Sequence, residues 1–140
     1  MRRLPGIRIR PVPGERGQSA VEFAIILPFV LMFSFFMVES VRVLSTWMVL
    51  EHASREGARY GAVRKSADEI RTRTISASQG ILTAGDVTVT GAQGAPGTDV
   101  QVAVRYTYQP QILNGFANLL LGLSLPFITL RAQTHMRLEE

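Results

Sequence analysis

Few side chains in this sequence stand where they could share a reaction. His52 and Glu56 are four apart in a stretch that reads as helix, so two metal ligands would share one face. A metal site needs a third ligand, and the second histidine, His135, is remote in the chain. A surface histidine beside an ion-pairing Glu is the plainer reading. Cysteine is absent, which removes disulfides, thiolate zinc sites and cysteine nucleophiles. Neither a phosphate-binding glycine loop, nor GxSxG, nor HExxH occurs, and the acidic residues do not cluster. The expectation is a non-enzyme with no catalytic residue, no metal and no cofactor. One ionisable group is nonetheless out of place. Glu22 is the only charge between Ser19 and Val38, and a charge inside an apolar span is a functional candidate by default.

That span is the element that must position everything else. SAVEFAIILPFVLMFSFFMV, residues 19–38, is twenty residues long. As a helix it reaches ~30 Å, the hydrocarbon thickness of a bilayer. Pro28 inside it removes a backbone hydrogen bond and predicts a kink that membrane helices tolerate. No small-x-small cleavage site follows at Phe35–Ser40, which argues against a conventional secretory signal.

The charge distribution orients the span. The 140 residues carry a formal +4, and all of that excess lies in residues 1–17, with five arginines against Glu15. The remaining 123 residues are neutral. This short basic segment is rich in Pro and Gly and is read as non-helical. Its position before a membrane span speaks against a nucleic-acid arm. The positive-inside tendency places the N-terminus in the cytoplasm and the rest beyond the membrane.

The helical pattern continues past the span, from Glu39 to about Arg64, with apolar residues at Met37, Val41, Leu44 and Met48. Glu51 with Arg55, and Glu56 with Arg59, are spaced as helical ion pairs. Ala53, Gly57 and Gly61 then recur every four residues. Each glycine costs roughly 1 kcal/mol of helix stability relative to Ala, so close approach by another backbone must compensate. Two readings stand for that stripe: a helix-packing face for another molecule, or packing against the chain's own sheet.

Beyond the helix the period changes. Ser66–Ser78 predicts a short helix ended by Gly80, with Asp68 and Glu69 near its positive end. Val87 and Val89 alternate with threonines, GAQGAPG at 91–97 is a turn, and Val100 to Tyr108 alternate apolar with polar until Pro110. Ile128, Leu130, Ala132, Thr134, Met136 and Leu138 define one face of a last strand. Alternation of this kind predicts an antiparallel sheet wet on one side, with the long helix as its cover. NGFANLLLGLSLPF, 114–127, reads as an apolar connection, too short and glycine-interrupted for a second span. It either folds over the core or offers a contact surface.

The junction Arg16-Gly17-Gln18-Ser19-Ala20-Val21-Glu22-Phe23 resembles the processing site of type IV pilin precursors. Those have a basic leader ending in Gly, a cut after it, Glu fifth in the mature chain and an aromatic sixth. QSAVEFAIILPFVL, HASREGARYGAV at 52–63 and AQTHMRLE at 132–139 extend the resemblance to the TadE-like family of the tight-adherence (Flp) pilus system. Many relatives have Tyr where this chain has Phe23, and many carry distal cysteines that this chain lacks.

The resemblance implies a pilin-like α+β fold. Its parts would be a leader (1–17), the transmembrane half of one long helix (18–38), the extracytoplasmic half (39–64), and a short helix with an antiparallel sheet (65–140). It implies a minor pilin or pseudopilin in the inner membrane, cut between Gly17 and Gln18 by a prepilin peptidase. Its partners would be other pilins and inner-membrane platform proteins, with no nucleic acid. Glu22, Phe23 and Pro28 would then serve assembly, Glu22 by fixing axial register against a neighbour's amine. An uncleaved bitopic adaptor of a secretion complex is the rival expectation.

Overall fold

The computed structural model describes residues 15–138. The first helix, α1, runs Glu15–Ala62, 48 residues or ~72 Å, continuous through Pro28. It begins before the expected leader boundary, because beyond Pro13 and Gly14 no residue forbids a helix. It also stops two residues short of Arg64, which turns left-handed at φ 58° with its N–H on the Gly61 carbonyl. The four leader arginines at 2, 3, 8 and 10 lie outside the described residues, as does Glu139 at the end of the alternating segment.

The second helix, α2, spans Ala67–Ala77. A reciprocal cap starts it: Ser66 Oγ accepts from the Glu69 backbone N–H, and the Glu69 carboxylate accepts from that of Ser66. Three strands follow, β1 (Val87–Thr90), β2 (Asp99–Tyr108) and β3 (Ile128–Arg137), all antiparallel in the order β1-β2-β3. The alternating residues fall as expected. Val100, Val102 and Val104 of β2 and Leu130 and Ala132 of β3 point to the core, with Arg105 opposite Arg131 on the other face.

The long helix covers this sheet. Leu50, Ala53, Ala58 and Ile70 of the two helices close the core over the valines, and Ser54 Oγ meets Thr134 Oγ1 at 2.8 Å to tie α1 to β3. The architecture is α+β: a long N-terminal helix packed on a small three-stranded antiparallel sheet.

One expectation needs correction. The apolar connection at 114–127 is largely helix: α3 runs Gln111–Leu121 and passes straight through Gly115. Pro110 stands at its N-cap, and Gly122 ends it at φ 64°, a left-handed position that glycine adopts without a Cβ penalty. The run Leu119-Leu120-Leu121 supplies strong helix formers that outweigh Gly115.

Candidate functional site

The residues of the expected processing site lie in the first turns of α1. Gly17 has open space around it, and Gln18 donates from Nε2 to Glu22 Oε1 at 3.1 Å, one turn along. Phe23 points outward, 64% exposed, as do Val21, Ile25 and Phe29. This half of α1 is long and apolar enough to cross a membrane by length and composition, and no part of its most apolar window is buried within the chain. Glu22 therefore sits on a bare helix with one described side-chain partner, Gln18.

Pro28 has a different neighbourhood. It opens an apolar groove of about 530 Å³ between α1 and α3, lined from Pro28 to Phe36 on one side and from Leu113 to Leu125 on the other. Phe35 and Phe116 meet edge-to-face between the two helices, ring centres 5.0 Å apart.

The small-residue stripe is occupied from within the chain. A Cβ on Gly57 would overlap Thr74 Oγ1 of α2, and one on Gly61 would meet Ile70 at 2.9 Å and Val100 at 3.1 Å. Ala53 is fully buried. Of the two readings, the structure has the stripe against α2 and β2. The nearest atoms are side chains of Thr74, Ile70, Val100 and Val102 and not another backbone, and their packing offsets the helix cost of the two glycines.

The ion pairs also differ from the spacing-based expectation. Arg55 Nη2 contacts Glu51 at 2.8 Å as expected, but Glu56 reaches across to Arg73 of α2 instead of along the helix to Arg59. The guanidinium bond holds the Glu56 carboxyl below its ordinary pKa, with Arg59 and His52 adding a smaller field. Among the described residues no three His, Asp or Glu side chains gather as a metal site would need.

What sequence reasoning missed is Glu39. It stands where the apolar span ends, yet is only 3% exposed. Its Oε1 accepts from the Tyr108 hydroxyl at 2.5 Å; its Oε2 accepts from the Ile112 and Leu113 backbone N–H groups at 3.1 and 3.3 Å. Glu39 thus caps α3 from another helix, anion against the positive helix end. Burial, and then the bond to Glu39, push the Tyr108 hydroxyl up to about 12. These partners are some seventy positions away, so no local spacing announces them.

The apolar positions named from the sequence form a ridge on the opposite side of the helix. Met37, Val41, Leu44 and Met48 recur every three or four residues, and all are about half exposed or more. At ~100° per residue they lie across the helix from Leu50, Gly57 and Gly61, which face the core. The ridge continues the apolar surface of the span beyond Val38, on a helix face the sheet leaves bare.

Comparison with known proteins bears on this helix alone. Residues 17–59 match the family model of TadE-like proteins. The TadE-like segment begins at Gly17, takes in the apolar span, Glu39 and the ridge, and ends within the stripe that seats on α2. No curated protein and no solved structure matches the chain.

Proposed function

We propose that the chain is a non-catalytic minor pilin or pseudopilin of a tight-adherence pilus apparatus. On this reading it is held in the inner membrane by α1, N-terminus in the cytoplasm, and cut between Gly17 and Gln18 by a prepilin peptidase. The carrying observation is the bare face of α1: Phe23, Ile26, Val30, Met37, Val41 and Met48 lie along one side of the helix, each about half exposed or more, well past the length a bilayer needs. A simple anchor has no use for the ridge at 41–48, whereas a subunit that packs helix on helix does. The match to TadE-like proteins over 17–59 supports the same reading.

In this role Glu22 and the amine freed at Gln18 supply the charges of the assembly face. The cut would leave that amine one turn from Glu22, where Gln18 already donates from its side chain. An amine of reference pKa ~7.7–8.0 is mostly cationic at neutral pH and offsets the cost of a carboxylate in hydrocarbon. Phe23 packs against a neighbouring helix, and Pro28 shapes the span.

Intact mass of the membrane-extracted protein tests the reading. Loss of residues 1–17 is expected. A full-length mass in a strain with an active prepilin peptidase would leave the chain an uncleaved bitopic adaptor.

A further inference from the structure

The third helix exposes a run of large apolar side chains, the mark of a contact surface. Leu119 is 83% exposed, Leu121 64% and Phe127 63%, and α3 buries none of its residues. It is seated against α1 along Pro28–Phe36, within the stretch read as the membrane span. From Glu39, which holds its first turn, α3 extends along α1 towards Pro28, each covering about 16 Å.

Three further observations fit one environment. Residues 106–130 contain no Asp, Glu, Lys, Arg or His. Several backbone donors at the two ends of α3 are met inside the chain. Glu39 accepts from Ile112 and Leu113. At the other end the Gly122 and Leu123 N–H groups bond to Asn118 and Ala117, and Leu125 N–H bonds to Asn114 Oδ1. Donors paired within the chain suit hydrocarbon, which offers them no partner of its own. Charges resume at Arg42, Arg105 and Arg131, all beyond Glu39 towards the sheet domain, where phosphate headgroups would lie.

We propose that α3 and the turn at 122–127 are embedded in the bilayer leaflet nearest the sheet domain, flanking α1, with lipid acyl chains in the groove between them. The proposal rests on the reading of α1 as a membrane span. A protein partner would be expected to meet a polar rim around an apolar centre; here the tract is charge-free throughout and continuous with the span, which selects lipid over a second chain.

The absence of cysteine makes the test direct. Single-cysteine variants Leu119→Cys, Leu121→Cys, Phe33→Cys and Ser76→Cys are nitroxide-labelled in the full chain and reconstituted in phosphatidylethanolamine–phosphatidylglycerol vesicles. Collision with oxygen and with a water-soluble nickel chelate is then read at each site. The proposal expects labels at 119 and 121 to match Phe33: oxygen-accessible, with nickel accessibility several-fold below that at Ser76 on α2. Labels at 119 and 121 that behave like Ser76 while Phe33 stays in hydrocarbon would overturn the embedded helix and leave the span standing. An aqueous Phe33 would remove the span and the proposal together. Shielding from both reagents with spin–spin broadening between copies would show that a second chain covers α3, and would overturn the lipid assignment.

Discussion

At the scale of single residues, Glu39 governs how the distal chain is held to the helix. Two backbone donors and one phenol converge on a carboxylate that water scarcely reaches. Glu39→Gln keeps the volume but turns one acceptor into a donor facing donors, a mismatch worth about 1–3 kcal/mol. The expected result is lost hydrogen-exchange protection at Ile112 and Leu113, with protection in β2 retained at Val102. Full protection at 112 and 113 would mean the cap contributes nothing.

Tyr108 gives the same contact a pH signature. Its hydroxyl titrates near 12 when folded and near 10 when unfolded, so the native state holds the proton more tightly. Stability from this group is therefore complete below pH 10 and is lost as pH rises towards 12. Thermal melts over pH 9–12 should show that decline in the parent and a shallower one in Tyr108→Phe. Parallel declines would assign the alkaline loss elsewhere.

At the scale of elements, the seat of α1 on α2 rests on a missing side chain. Gly57→Ala brings a Cβ against Thr74 Oγ1, and overpacking of a buried contact costs about 1–3 kcal/mol. Thr74→Ala removes that oxygen, so the double variant should recover most of the loss in urea unfolding, where the two effects would otherwise add. Additive losses would locate the strain away from Thr74.

The elements differ in how openly the sequence declares them. The long helix and β2 and β3 are legible because a membrane-length apolar run and period-two alternation each admit one structure. α3 is not, since Gly115 interrupts it and Gly122 cuts it short, although Gln111, Asn114 and Asn118 do recur at helical spacing. The stripe is legible as a close approach but not as to its partner, because Thr74 and Val102 are distant in sequence. The leader before Glu15 stays outside the described residues, and the cut after Gly17 rests on its motif.

At the scale of the whole molecule, α1 works as a two-sided beam. One side carries the sheet domain; the other leaves Met37, Val41, Leu44 and Met48 bare. Val41→Glu sits on that ridge at 65% exposure, so folding should change by no more than about 0.5 kcal/mol. If the ridge packs on neighbouring subunits, the variant should fall to background in sheared pili while remaining at parental level in the membrane fraction. Parental recovery in the sheared fraction would show the ridge idle.

The seating of α3 also gives the molecule an uneven waist. Residues 18–27 form a single helix with nothing described beside it, whereas from Pro28 to Glu39 a second helix runs alongside. Each helix is ~10 Å across with its side chains, so the cross-section roughly doubles between one end of the span and the other. Embedded as proposed, such a wedge displaces about twice as much lipid area in one leaflet as in the other. It would settle with least cost where the membrane already bends outward on the side of the sheet domain.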